Sequence, residues 1–205
     1  MKKPSAPLLL ESIRLVDGQA PLLHRHQERV DRSRHHYYGK GPSLKLAEVL
    51  ETLDLPSSGT FKLRLLYGAR VEKWEVLPYS VREVTSLRVV AADDLRYGRK
   101  YADRSGIDKL FNQRQDSDDI LMVQREHLTD SSYANLALYD GSKWYTPAWP
   151  LLRGTRRAQL IDEGILQPTI IRLRDLFHFE QVRLINAMMD WTEGPTIPIS
   201  RIAGV

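Results

Sequence analysis

Apolar and polar residues alternate in short runs, each ended by a turn dipeptide, and this period of two commits much of the chain to β-sheet. LLLESIRLV, Leu8 to Val16, leads into Asp17-Gly18, and Ala20 to Leu23 leads out. Asp-Gly suits the two left-handed central positions of a hairpin turn, so a hairpin is expected here. TFKLRLLYG and RVEKWEVLPY, after the PSSG punctuation at Pro56 to Gly59, predict a second hairpin, and TSLRVVAAD a further strand. ILMV, Ile120 to Val123, reads as a short buried strand. HLTDSSYANL, His127 to Leu136, has the polar composition of a loop, and ANLALYDGSKWYTP predicts a hairpin turning at Asp140-Gly141.

Helical spacing fills the gaps. HRHQERVDRSRHHYYG carries charged residues at helical density and ends on Gly39, a candidate C-cap. SLKLAEVLETLDL places Leu44, Leu46, Ala47, Leu50 and Leu53 near a 3.6 period, as an amphipathic helix requires. YGRKYADRSGIDKL reads as a loop entering a helix, and LLRGTRRAQLIDEGIL as a turn at Gly154 feeding a helix from about Arg156 to Glu163. RLRDLFHFEQVRLINAMMD predicts a helix or a helix–strand pair, and TEGPTIPISRIAGV a strand-like tail. The chain is therefore expected to be α+β, without internal repeats, in two small domains covering 1–95 and 96–205.

Composition removes several chemistries. With no cysteine there is no disulfide, thiolate metal site or cysteine nucleophile, which leaves Lys, Ser, Thr, Asp and Glu for covalent work. No apolar run reaches the roughly 18–20 residues of a membrane span, and PSAPLLLESI is too short and too soon polar for a secretory signal; a cytoplasmic protein is expected. The net charge of +4 suggests an anionic ligand. His24, His26, His35 and His36 could ligate a metal, but Arg25, Arg29, Arg32 and Arg34 among them repel a cation, and such a helix is ordinarily a solvated face. The same arginines could meet nucleic-acid phosphates, yet no aromatic residue interleaves before Tyr37 and 26 acidic residues nearly balance 30 basic ones, so no nucleic-acid partner is expected.

Lys100 stands between Arg99 and Arg104. Neighbouring cations disfavour an ammonium group and can ready an amine to attack a carbonyl, although a lysine beside arginines is also what an exposed surface carries. The order of the pieces is more specific. Arg29, Lys100, LTDSSYAN, WYTP, LLRGTRR and LINAMMD succeed one another as in the fold-type IV pyridoxal phosphate (PLP) enzymes. The chain resembles that class IV aminotransferase family, which includes branched-chain and D-amino acid aminotransferases and aminodeoxychorismate lyase.

The resemblance implies a fold like that of D-amino acid aminotransferase, two small α/β domains with an interdomain cofactor cleft, and PLP as cofactor. His26-Gln27-Glu28-Arg29 is similar to the family's His-x-x-Arg, whose arginine grips the cofactor phosphate. Lys100 takes the place of the Schiff-base lysine and is the implied catalytic residue. Thr129 to Asn135 resembles the family's Thr-Glu-x-x-x-x-Asn segment, which implies that Asp130 pairs with the pyridine nitrogen and that Tyr133 and Asn135 border the cofactor. Asp130 is one methylene shorter than the family's glutamate. Gly154-Thr155-Arg156-Arg157 resembles the Gly-Ile-Thr-Arg turn, implying phosphate contacts at Gly154, Thr155 and Arg156. The chain also starts close to the family's first long strand, and Arg64 or Arg96 could receive a substrate carboxylate. By resemblance the protein is a homodimeric aminotransferase acting between an amino acid and a 2-oxo acid. The alternatives are an aminodeoxychorismate lyase-like enzyme of 4-aminobenzoate synthesis, or a PLP-binding or nucleic-acid-binding protein without turnover.

Overall fold

The structure is a computed structural model that describes residues 6–39 and 43–205. Pro4 and Ser5, which open the PSAPLLLESI segment, lie outside the described residues. The chain forms two compact units, one of Met1–Ser80 with Arg99–Asp103 and the other of Val81–Gly98 with Arg104–Val205. Lys100 thus belongs to the first unit.

In the first unit, β1 (Leu9–Val16), β2 (Thr60–Tyr67) and β3 (Val71–Pro78) form an antiparallel sheet in the order β1-β2-β3. The expected β2–β3 hairpin is present. The expected partner of β1 is not: Asp17 and Gly18 do turn the chain, with φ of 48° and 76°, but Ala20 to Leu23 forms no strand. Only Val16 and Gln19 bridge, after which the chain enters helix α1 (Leu23–Tyr38). Pro21 has no N–H to give a ladder, whereas β2 pairs with β1 along eight positions from Leu9↔Tyr67 to Val16↔Thr60. Helix α2 (Leu46–Glu51) keeps only the middle of its predicted span.

Side chains of β1 alternate in direction, and Leu9, Ile13 and Leu15 join Val30 of α1 and Leu63 and Leu65 of β2 in one apolar core. Helix α1 ends at Gly39 as expected, but it is not the solvated face its charge suggests. His26, Arg29, Val30, Ser33 and Arg34 are buried at helical spacing, while His24, His35 and His36 are not, so the four histidines do not converge. Arg34 donates to the carbonyls of Gly68 and Ala69, holding the β2–β3 turn against the helix. The segment around Lys100 is fastened to β1 by an isolated antiparallel bridge between Leu9 and Tyr101: Leu10 N–H donates to Lys100 O at 2.9 Å and Ala102 N–H donates to Leu8 O at 2.9 Å. The hydroxyls of Tyr101 and Tyr37 are 2.9 Å apart, which adds a tie from this segment to α1.

The second unit is built on a nine-stranded mixed sheet. Strands β4 (Leu87–Ala91), β5 (Asp119–Gln124), β6 (His127–Ser131), β7 (Asn135–Tyr139), β8 (Trp144–Pro147), β9 (Leu166–Thr169), β10 (Gln181–Ile185), β11 (Thr196–Pro198) and β12 (Ile202–Ala203) contribute. The main order is β11-β10-β7-β6-β5-β4-β12, with β8 on β7 and β9 on β8. Helices α3 (Ser105–Phe111) and α4 (Thr155–Asp162) lie where sequence spacing predicts them, and Leu173–His178 is a 3-10 helix leading to β10. Leu121, Leu136, Leu138, Leu176, Val182 and Leu184 form its main core. Arg183 is held between the rings of Trp144 and Trp191, 4.7 and 4.5 Å from their centroids.

The expected loop at HLTDSSYANL is overturned. The segment is strand, tight turn and strand, with Asp130 opposite Asn135. Thr129, Asp130 and Ser131 are buried, so composition pointed the wrong way. Their polar atoms are matched inside the fold: Thr129 Oγ1 donates to Met122 O, and Ser131 Oγ accepts from Ala134 N–H.

Leu63 is fully buried between β1, β3 and the helices of the first unit. Leu63→Ala is expected to lower unfolding stability by about 2–5 kcal/mol, measured as a reduced urea midpoint at unchanged slope.

Candidate active site

The residues singled out by sequence fall into two groups, one in each unit. In the second unit, Asp130 leaves β6 with its carboxylate buried, and both oxygens accept bonds. Asn135 Nδ2 donates to Oδ1 at 2.7 Å and Leu152 N–H donates to Oδ2 at 2.8 Å. Asn135 Nδ2 also donates to Leu152 O at 2.7 Å, so one amide ties the turn of β6–β7 to the segment before α4. Asp119, fully buried, fixes the other side of the turn by accepting from Ser132 Oγ at 3.0 Å and from Arg82 Nη2 at 2.5 Å. Arg104 donates to Ser132 O at 2.8 Å.

Gly154 is required by close approach rather than by its backbone angles. A Cβ there would lie 2.1 Å from Asn135 Oδ1, an atom of a side chain already bonded on two sides. Thr155 is next, the first residue of α4, and its Oγ1 is buried with no hydrogen-bond partner. A buried hydroxyl left unsatisfied at a helix start fits an incoming acceptor such as phosphate. Arg156 is placed differently from a phosphate-gripping side chain: its guanidinium donates to Asp190 at 2.8 Å and to Gln159 at 2.8 Å, which leaves its backbone N–H as the group at the helix start. The ring of Tyr133 packs beneath Arg82, 5.0 Å from the guanidinium carbon.

Burial dominates the Asp130 carboxyl and pushes it up to about 7, against the Asn135 and Leu152 hydrogen bonds and the positive charge of Arg157, which all favour the anion. Arg157 is itself buried, donating to Thr146 Oγ1 at 3.0 Å and to Pro147 O at 2.8 Å. Asp130 is thus an anion site short of one positive partner. A cationic N–H brought to it would complete the compensation, which is the role expected of a protonated pyridine nitrogen.

In the first unit, Arg29 is buried and its Nε and Nη2 meet the carboxylate of Glu11, with Oε1 at 2.8 Å and Oε2 at 2.5 Å. His26 Nδ1 shares Oε2 at 2.6 Å, and the charge of Lys100 reaches His26 as well. Of the two candidate carboxylate receivers, Arg64 is paired across the sheet with Glu75 at 2.7 Å and Arg96 donates to Asp93 O at 2.8 Å. Sequence reasoning missed Glu11 and Asp119. The signal for Glu11 was present: it stands in the inward phase of β1, between Leu9 and Ile13, where a carboxylate requires a buried partner.

A family model for class IV amino-transferases matches residues 99–197. An uncharacterised protein of Haemophilus influenzae is 34% identical over 88% of this chain and 97% of its own length. The crystal structure of a proposed 4-amino-4-deoxychorismate lyase from Haemophilus somnus superimposes with a TM-score of 0.81 at 30% identity, covering 89% of this chain and 96% of that one. The chain belongs to the class IV aminotransferase family. A hypothetical aminotransferase from Mycobacterium tuberculosis, in its PLP-bound form, shares this fold-type IV architecture with a TM-score of 0.77 at 18% identity, covering 97% of this chain and 82% of that one. As a class IV aminotransferase fold, the second unit brings Asp130, Asn135, Gly154 and Thr155 into one cluster, while Arg29 and Lys100 stand in the first unit. No group of acids or histidines among the described residues is arranged to hold a metal ion, and none of their helices is long and apolar enough to cross a membrane.

Two outcomes are expected. Unfolded Asp130 titrates near 3.8 and folded Asp130 near 7, so in cofactor-free protein its contribution to stability is greatest below pH 4 and is lost as pH rises to 7, by about 4 kcal/mol in total. The stability difference between wild type and Asp130→Asn, measured by denaturant unfolding from pH 4 to 8, is expected to fall over that window and level off above it. Gly154→Ala must displace Asn135, and is expected to cost about 1–3 kcal/mol of stability in the same assay.

Proposed function

We propose that the protein is a PLP-dependent aminotransferase in which Lys100 carries the cofactor and Asp130 holds its ring nitrogen. The observation that carries this reading is the buried, under-compensated Asp130 carboxylate, set beside an unsatisfied Thr155 hydroxyl and a glycine that admits no Cβ. An anion site and a phosphate-type site in one cluster fit the two ends of a pyridoxal phosphate.

Bound PLP supplies an electron sink for the pair left when an amino acid loses its α-proton. The chain's own groups set the conditions for that loss. Asp130 would keep a proton on the ring nitrogen, each unit by which it raises that nitrogen's pKa being worth about 1.4 kcal/mol. Thr155 Oγ1 and the start of α4 would hold phosphate, and Arg29 is the phosphate ligand that the family resemblance implies. Lys100 Nζ, released when the incoming amino group takes its place on the cofactor, would take the α-proton as general base and give it back as general acid to complete the transfer. Its backbone is fixed for this work by the two hydrogen bonds to β1, so the side chain swings from a rigid base. The substrates of this reading are an amino acid and a 2-oxo acid, and the working form is a cytoplasmic homodimer, as the family resemblance implies.

The lyase reading uses the same groups, with Lys100 driving elimination instead of exchange. It is favoured by the 30% identity to the Haemophilus somnus protein over 96% of that chain. Purified protein given a panel of amino donors is expected to turn over only when a 2-oxo acid acceptor is added; turnover of aminodeoxychorismate without acceptor would establish the lyase instead. Borohydride treatment of the PLP-loaded protein is expected to add the cofactor's mass to the peptide containing Lys100. Lys100→Ala is expected to fold normally and lose both that mass and all turnover, and residual wild-type rates in this variant would refute the assignment. Asp130→Asn is expected to retain the mass label but to react about a hundredfold more slowly, equal to about 3 kcal/mol in the barrier.

A further inference from the structure

Glu11 is a carboxylate in the core-facing phase of an apolar strand, and it is fully buried. It accepts three bonds from one face of α1: Arg29 Nε at 2.8 Å, Arg29 Nη2 at 2.5 Å and His26 Nδ1 at 2.6 Å. His26 and Arg29 are three residues apart and so lie side by side on the helix. Burial pushes the Glu11 carboxyl up, but the charge of Arg29 and the hydrogen bonds from Arg29 and His26 outweigh it and bring the group down to about 2. Glu11 is therefore ionised at neutral pH. Burial also pushes His26 down. Its Nε2 is buried without a hydrogen-bond partner, so a second ring proton would be a stranded donor, and the ring is neutral with its one proton on Nδ1 facing Glu11.

The cluster thus holds one cation, one anion and a neutral ring. A net-neutral cluster draws a dianion weakly by charge alone. What it can offer is direction, because a guanidinium is a planar fork and two fixed N–H groups on one edge set the plane of the whole fork. We propose that Glu11 and His26 are positioning residues that fix the guanidinium plane of Arg29 for a phosphate monoester, the phosphate of the cofactor. The inference rests on Arg29 being a phosphate ligand, and it adds that the affinity comes from orientation rather than from charge.

The test compares PLP with pyridoxal, which lacks the phosphate, by absorbance titration of wild-type and variant proteins whose folding is checked by thermal melting. Wild type is expected to bind PLP far more tightly than pyridoxal. Glu11→Gln is expected to weaken PLP about tenfold or more while changing pyridoxal less than about twofold. Glu11→Asp keeps the charge but is too short to meet both the guanidinium edge and the imidazole, and is expected to weaken PLP in the same selective way. His26→Leu should match Glu11→Gln, and His26→Asn, whose amide N–H can replace Nδ1, should restore PLP affinity to within about threefold of wild type. Should Glu11→Gln fail to fold, Glu11→Asp and the histidine pair decide the matter. Equal losses for PLP and pyridoxal would reduce Glu11 to a structural residue, unchanged PLP binding would show that it does not position Arg29 for phosphate, and tighter PLP binding would show that its negative charge opposes the phosphate; each of these overturns the inference. A wild type that does not prefer PLP to pyridoxal removes the role of Arg29, and the inference with it, whatever the mass label at Lys100 shows.

Discussion

The second unit turns on one carboxylate that water cannot reach. Asp130 is buried on a strand, and the surrounding architecture supplies it with compensation: Asn135 from the next strand, Leu152 N–H from the segment before α4, and the charge of Arg157 from α4 itself. Three elements distant in sequence are thereby fixed to one another. Asn135 Oδ1 occupies the space that a Cβ at Gly154 would need, and α4 begins at the next residue. The start of α4 is positioned by the same contacts that hold the Asp130 carboxylate. Removing the carboxylate's partners would therefore disturb the helix start as well as the acid.

Two buried acids, Glu11 and Asp130, make an instructive pair. Both are removed from water, and burial raises both. Glu11 ends near 2 because a guanidinium contacts it directly at 2.5–2.8 Å and an imidazole shares one oxygen. Asp130 ends near 7 because its direct donors are neutral amides, while the Arg157 guanidinium gives its own N–H groups to Thr146 and Pro147. A neutral donor offsets part of the desolvation of a carboxylate, while a charged one in contact offsets far more of it. So Glu11 is compensated by a charge in direct contact, whereas Asp130 is not. That difference, and not burial alone, sets the two acids apart.

Much of the fold could be read from periodicity, and the failures share a cause. Helix α1 with its Gly39 end, the β2–β3 hairpin, the Asp140-Gly141 turn and α4 all come from local spacing and turn chemistry. The hairpin predicted at Asp17-Gly18 failed because a turn dipeptide specifies a reversal but not the structure of the next segment; Pro21 and the longer β2 decided the pairing. HLTDSSYANL reads as a loop, and α1 as a solvated face, only if polar residues are taken to face water. Most of HLTDSSYANL and one face of α1 are buried, and their polar groups find partners that lie far along the chain, such as Glu11 for Arg29 and Leu152 for Asp130. Ordered motifs singled out Lys100, Asp130 and Gly154, since their residue types and spacing can be seen without knowing their partners. Glu11 and Asp119 escaped because their meaning lies in a partner 15–37 positions away.

Aspartate in place of a glutamate raises the matter of reach, and the structure suggests how it is met. A longer acid can extend from a turn toward a ligand with few constraints on its backbone. Asp130 instead sits within a β-pair opposite Asn135, so its Cβ direction is set by the sheet, and each carboxylate oxygen already holds one donor. Each oxygen also keeps a second lone pair, so a further N–H can be accepted without releasing either partner. What is lost in length is recovered in fixed direction. An acid with few rotatable bonds, gripped at both oxygens, presents its remaining acceptor in one orientation and loses little entropy in meeting a ring nitrogen. The shorter side chain is therefore compatible with a strong pairing, provided the ligand comes to the strand and not the strand to the ligand.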